Sequence, residues 1–195
     1  MSFERVIVGV TGASGAGLAV RIVEQLAALG DVEIHLVVSD AAHRTLDLEC
    51  GTDALERLLP LVHRHHPTND IGASIASGSF PVRGMIVAPC SMQTLSAIAT
   101  GRTDTLIGRA ADVQLKERRR LVLLARETPL HLGHLRNMCA VTEMGAIVMP
   151  PVPAFYHCPQ SVADIIDHLA ARAIDLLAMP HPSLTRPWEG AEGAG

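Results

Sequence analysis

The sequence predicts an α/β domain, a parallel sheet with helices packed on both of its faces. Three observations carry that expectation. Short β-branched runs alternate with stretches of helical apolar spacing, and the runs are apolar throughout, as strands buried on both faces are. The chain has 195 residues, the size of one domain. Apolar residues make up 48% and charged residues 18%, enough aliphatic side chain to bury a sizeable core.

The elements follow in order. Arg5 to Val10 is a Val/Ile run ended by Gly12, after which Leu18, Ile22, Leu26 and Leu29 recur at helical spacing. Val32 to Val38 is a second strand, broken in polarity only by Glu33 and His35, and Ser39 follows it. Further strands fit Met85 to Ala88, Leu121 to Ala125 and Ala146 to Met149. Helices fit Ala41 to Leu48, Leu55 to Val62, Met92 to Ala99, Arg109 to Arg118 and Leu132 to Met144. Ser161 is an N-cap for a last helix, with Val162, Ile165, Ile166 and Leu169 on one side and an end near Ala178. This gives a domain over 1–182 and a Pro- and Gly-rich tail over 183–195 that cannot form a core alone.

Composition excludes several classes. Aromatics are 3% and net charge is −4, which suits neither base stacking nor a phosphate backbone, so no nucleic-acid partner is expected. No run reaches the roughly 18 apolar residues of a membrane span, and no secretory leader pattern opens the chain, so it is read as soluble and cytoplasmic. Cys50, Cys90, Cys139 and Cys158 form no CxxC pair, which fits neither a zinc ribbon nor a disulfide framework. His63, His65 and His66 crowd one loop and His131 and His134 stand three apart, but no ligand set of HExxH type accompanies them and no metal is expected.

In a parallel sheet, ligands bind outside the carboxyl ends of the strands. The loops there are Thr11 to Gly17, Ser39, Pro89 to Thr94, Arg126 to Pro129 and Pro150 to Pro159. Thr11 to Gly17 is small enough for backbone amides to approach an anion, and equally suits a tight strand-to-helix turn. It lacks the Gly-Lys-Ser/Thr of a Walker loop, and Asp40 could receive a ribose hydroxyl. Ser91 either caps its helix or joins Gln93 and Thr94 in the crevice. Arg126 and Glu127, at the mouth of a buried strand, read as a catalytic or clamping pair. Arg109 and Lys116, the only lysine, stand seven apart on one helical face and could bracket a phosphate. Tyr156 and Arg172 could add phosphate donors, or merely pack and cap. Glu49 ends a helix with no partner nearby in sequence, a setting in which Glu is usually solvated.

Taken jointly, Gly12-Ala13-Ser14-Gly15, Ala76-Ser77-Gly78-Ser79-Phe80, Pro89-Cys90-Ser91-Met92, Arg109-Ala110-Ala111-Asp112-Val113, Leu115-Lys116-Glu117-Arg118 and Arg126-Glu127-Thr128-Pro129 occur in the order seen in one family. His134-Leu135, Asn137-Met138, Phe155-Tyr156 and Arg172 continue the pattern. From Val6 to about Pro182 the chain resembles the UbiX-type flavin prenyltransferases.

That resemblance implies a single-domain Rossmann-like (flavodoxin-like) flavoprotein that joins a dimethylallyl group from dimethylallyl phosphate to nitrogen 5 and carbon 6 of reduced FMN. The prenylated FMN product would serve a UbiD-type decarboxylase. By the same resemblance Gly12, Ala13, Ser14, Ser39, Ser91, Met92, Gln93, Thr94 and Arg126 would hold FMN. Arg109, Lys116, Tyr156 and Arg172 would hold the donor phosphate, some of them from a neighbouring subunit. Glu127, Glu49 and Ser14 would surround the flavin edge where bonds form, and Trp188 would close the prenyl pocket. The same resemblance implies a reaction without metal and a homo-oligomer, up to a dodecamer. One departure is Gln93, where family members commonly carry Lys. The alternatives are an FMN-dependent cysteine decarboxylase of similar fold and a non-catalytic flavin-binding subunit. A short-chain dehydrogenase is disfavoured because Tyr156 is followed four residues later by Gln160 and not Lys.

Overall fold

A computed structural model describes residues 4–185. Its six strands form one parallel sheet: β1 (Glu4–Val10), β2 (Val32–Val38), β3 (Arg64–His66), β4 (Gly84–Cys90), β5 (Arg120–Ala125) and β6 (Ile147–Val148), in spatial order β3-β2-β1-β4-β5-β6. The expected five runs are all strands, with β6 trimmed to Ile147–Val148. Every ladder is parallel, beginning with Glu4 opposite Val32 and ending with Val122 and Leu123 opposite Ile147 and Val148.

Seven helices cover the sheet. They are α1 (Ala16–Ala28), α2 (Asp40–Cys50), α3 (Ala54–Leu58), α4 (Met92–Ala99), α5 (Leu106–Lys116), α6 (Leu132–Glu143) and α7 (Val162–Asp175). Successive strand residues point to opposite faces, so β1 divides its side chains between two cores. Val6, Val8 and Val10 pack with Ile22 and Leu26 of α1 and Ile174 of α7. Ile7 faces the other way, into the cluster that holds Leu95 of α4, Ile107 of α5 and Val141 of α6. Helices α1, α2 and α7 therefore lie on one face and α4, α5 and α6 on the other.

Several boundaries move for local reasons. The third helix stops at Leu58, and a 3-10 turn with Pro60 near its start runs through Leu61, because proline removes an amide that a longer helix would need. Helix α5 begins at Leu106, not Arg109, because the Thr105 hydroxyl accepts from the Gly108 amide. Helix α7 ends at Asp175, short of Ala178, which has reversed into a left-handed conformation at φ 51°.

The histidine-rich loop contains an unexpected strand. Arg64–His66 pairs with His35–Val37, which otherwise form an open sheet edge. This places two imidazoles together in the interior: His35 Nδ1 lies 2.9 Å from His66 Nε2, with 3% and 0% of the residues exposed. Phe80 stands edge-on to His35 at 5.2 Å. Burial, followed by the neighbouring His66 and His63, lowers the His35 pKa from 6.5 to about 4. Among the described residues no group of three His, Cys, Asp or Glu side chains is arranged to hold a metal ion.

The buried pair makes stability pH-dependent. Because His35 titrates lower in the folded chain than when unfolded, its full contribution is present above pH 6.5 and is lost as pH falls through about 4. The ceiling from a shift of that size is about 3 kcal/mol. Thermal melts from pH 8 to pH 4 should show Tm declining through that window, and His35→Asn should flatten the decline. A Tm that does not change across the window would contradict the assignment.

Candidate active site

Strands β1 and β4 are neighbours whose following helices, α1 and α4, lie on opposite faces, so a crevice opens beyond their carboxyl ends. Thr11 spans it. This buried hydroxyl donates to the Pro89 carbonyl at 2.6 Å and accepts from the Ser91 amide at 2.9 Å. The third loop is tied in by the Ser39 amide, which donates to the Val10 carbonyl at 3.0 Å.

Each loop then starts a helix with a hydroxyl cap. Ser39 accepts from the Ala42 amide at the start of α2, Ser91 from the Thr94 amide at the start of α4, and Thr105 from Gly108 at the start of α5. These three N-termini converge on a cavity of about 360 Å³ whose wall includes Gly12, Ser39, Ser91, Gln93, Thr94 and Thr105. Partial positive charge at helix N-termini, hydroxyls and backbone amides suit a phosphate and a polyol chain. Gly12 is required by packing, since a Cβ there would sit on the Cβ of Ala41 in the first turn of α2.

A second cavity, of about 370 Å³, opens on the α7 side of the first loop. Ser14, Glu49 and Arg126 supply its polar wall, and Leu18, Ile166 and Leu169 its apolar wall. Gly15, left-handed at φ 110°, starts α1 without a side-chain cap. Glu49 takes that place: one carboxylate oxygen accepts from the Gly15 and Ala16 amides, each at 2.8 Å. Partial burial works to raise the Glu49 pKa, but the Ser14 hydroxyl, the two amides and the Arg126 charge outweigh it and hold the carboxyl below its usual range. Glu49 is thus an ionised group with fixed partners, although no partner was visible near it in the sequence.

The remaining expected residues are dispersed. The Arg126 amide donates to the Cys90 carbonyl at 3.0 Å, which sets the turn after β5. Glu127 accepts from the Thr128 amide at 3.0 Å and belongs to the wall of neither cavity. Arg109 pairs with Asp112 at 3.0 Å and Lys116 with Glu117 at 2.5 Å. Tyr156 lies in a 3-10 turn over Phe155–His157, half exposed, with its ring 4.1 Å from that of His157. Arg172 lines a third cavity of about 300 Å³ with Asp175 and Leu184. Met92 is buried as the first residue of α4, Ala13 sits in the first loop, and Trp188 lies outside the described residues.

Geometry explains that dispersal. Helices between parallel strands run back toward the amino ends of the strands. Lys116, the last residue of α5, therefore lies away from the crevice; α7 follows the last strand, but Leu177 just beyond it packs beside Gly84 at the amino end of β4, so Arg172 near its end is also away from the crevice, on the opposite face. Arg109, Lys116, Tyr156 and Arg172, the four residues expected at the donor phosphate, are therefore not gathered around one cavity of the chain.

Thr105 lines the first cavity without having been expected there, and Thr11, expected only as the first residue of a loop, is what ties that loop to the next. A polar residue ending an apolar run, and a Thr just before a helix start, are the signals that could have found them. Thr11→Val keeps the shape and removes both bridging hydrogen bonds, which should cost about 1–3 kcal/mol. A chemical denaturation midpoint unchanged from the parent would show that the bridge is not needed.

Residues 1–174 match the model of the Flavoprotein family. The flavin prenyltransferase UbiX of Escherichia coli (strain K12) is 53% identical over 190 residues, covering 96% of this chain and all of the relative. A crystal structure of AnUbiX (PadA1) in complex with FMN and dimethylallyl pyrophosphate superposes with TM-score 0.89 at 47% identity, covering 96% of this chain and 98% of the other. A dodecameric FMN-dependent UbiX-like decarboxylase from Escherichia coli O157:H7 superposes with TM-score 0.90 at 46% identity, covering 96% of this chain and all of the other.

Proposed function

From the premise that this chain belongs to the UbiX-type flavin prenyltransferase family, we propose how it carries out its reaction and which residues do the work. The enzyme is a prenyltransferase that joins a dimethylallyl group to nitrogen 5 and carbon 6 of reduced FMN. The observation that carries the site assignment is the pair of adjoining cavities: one walled by three helix N-termini, the other by Glu49, Ser14, Arg126 and apolar side chains.

The first cavity fits the phosphate and ribityl chain of FMN. Ser39, Ser91 and Thr94 present hydroxyls to it, and Gly12 lets the first turn of α2 close up against the first loop in its wall. Gln93 stands in the same wall and brings no charge. The second cavity fits the reacting edge of the ring, which supplies two nucleophilic positions for the two ends of the allyl fragment. Leu18, Ile166 and Leu169 keep water from a carbocation there.

The donor's allylic carbon–oxygen bond breaks with its electron pair on the phosphate. Arg109, Lys116, Tyr156 and Arg172, drawn from more than one subunit, stabilise that departing dianion and do the work of a metal ion. For Arg109 and Lys116 this means exchanging Asp112 and Glu117 for the phosphate. Closure onto carbon 6 requires a proton to leave that carbon, and Glu127 or the released phosphate accepts it. Glu49 stays ionised through its α1 and Ser14 partners and offsets positive charge at the flavin edge.

Shared phosphate donors imply a closed homo-oligomer, and a dodecamer fits the crystallised Escherichia coli relative. No helix among the described residues is long and apolar enough to cross a membrane, and we assign the enzyme to the cytoplasm, where it would supply a UbiD-type decarboxylase. The donor is dimethylallyl phosphate, with the diphosphate found in the AnUbiX crystal as the competing choice.

Incubation of the enzyme with reduced FMN and each donor in turn tests the reading. Mass spectrometry should show FMN gaining one isoprenyl unit, faster with the monophosphate; no gain with either donor would overturn it. Glu127→Gln should lose product formation by at least about 100-fold while still binding FMN. Lys116→Gln and Glu127→Gln, each inactive as a pure oligomer, should recover part of the activity when co-assembled, since some sites then combine an intact lysine from one chain with an intact glutamate from another.

A further inference from the structure

Helix α7 ends on Asp175, and its carboxylate is almost wholly engaged by the chain that follows. Oδ2 accepts from the Ser183 hydroxyl at 2.7 Å, the Thr185 hydroxyl at 2.6 Å and the Thr185 amide at 3.0 Å. Oδ1 accepts from the Leu184 amide at 2.8 Å. Burial of the carboxyl opposes ionisation, but the hydroxyl and amide donors prevail and hold its pKa below the usual range. The intervening chain is fastened too: Leu177 is buried in the core and Arg83 donates to the Ala178 carbonyl.

Arg172 stands three residues before Asp175 and so shares its face of the helix. The cavity beside it is walled by Asp175 and by the segment that Asp175 clasps. A free carboxylate at this spacing would itself attract the guanidinium. Four donors from residues 183–185 fill its lone pairs instead.

We infer that Asp175 is a positioning residue for prenyl transfer: by clasping residues 183–185 it builds the wall beside Arg172 and keeps that guanidinium available to the donor phosphate. The inference rests on the reading of Arg172 as a phosphate donor. It adds a residue outside the expected set and gives the start of the C-terminal segment a defined task. The clasp itself requires no prenyl chemistry.

Two variants test it in the assembled, full-length enzyme. Asp175→Asn removes the charge and half the acceptors, while Ser183→Ala with Thr185→Val keeps the carboxylate and strips the hydroxyl donors. Hydrogen exchange at the Leu184 and Thr185 amides should accelerate about tenfold or more in Asp175→Asn, whatever the activity. Both variants should raise KM for dimethylallyl phosphate about tenfold, with kcat and the affinity for FMN within about twofold of the parent. Unaltered exchange in Asp175→Asn would overturn the clasp. Accelerated exchange with an unaltered KM would overturn its connection to Arg172. If the parent enzyme gave no prenylated flavin, the role of Arg172 would fall, and the exchange measurement would still decide the clasp.

Discussion

The hydroxyl of Thr11 is the contact on which the site depends. Beyond β1 and β4 the chain departs to opposite faces of the sheet, and no ladder hydrogen bond continues there to hold the two loops together. Thr11 donates across the gap to Pro89 and accepts back from Ser91, so the lips of the crevice keep a fixed separation. Through the Ser39 amide bonded to Val10, the loop after β2 takes the same reference. The directions of α2 and α4 follow from these bonds, because Ser39 and Ser91 both belong to a tied loop and cap the helix that leaves it.

Charge is divided between the two cavities by the way helix ends are used. The N-termini of α2, α4 and α5 point partial positive charge into the first cavity and are capped by hydroxyls, with Asp40 in the first turn of α2 and the Arg102–Asp104 pair also in its wall. The N-terminus of α1 is treated differently: its amides are already taken by the Glu49 carboxylate, close to Arg126. In the proposed reading the phosphate end goes to the first cavity, because the helix amides at the second are already taken by a carboxylate. A neutral or electron-deficient group is favoured in the second, where the resident carboxylate and apolar walls meet. That asymmetry orients a molecule with a phosphate at one end and a reactive ring at the other.

In the proposed reading, assembly follows from the direction of the helices rather than from any property of a single surface residue. Since α5 and α7 run back from the crevice on opposite faces, residues near their carboxyl ends are carried away from their own chain's cavities. Lys116 and Arg172 can serve a ligand in such a crevice only if another copy brings it to them. Within one chain, Arg109 and Lys116 are held by Asp112 and Glu117, which keeps isolated cations from remaining unpaired until a stronger anion arrives.

How much of this was legible depended on how local the cause was. The strands, the order of strand and helix, and the caps at Ser91 and Ser161 could be read because each rests on residues within a few positions of one another. The seven-residue spacing of Arg109 and Lys116 correctly placed both on α5, but spacing could not show that each has an acidic neighbour of its own. Arg64–His66 carries no apolar run and becomes a strand only because the edge of β2 offers it hydrogen bonds. Glu49 acquires its role from amides 33 and 34 positions away, and Thr11 from residues about 80 positions away. The sequence by itself determined the class of fold, the family chemistry and which residue types stand at strand ends. Only the tertiary structure decided which of them share a cavity, because contacts between distant segments arise when two cores close on one sheet, and no short-range pattern encodes them.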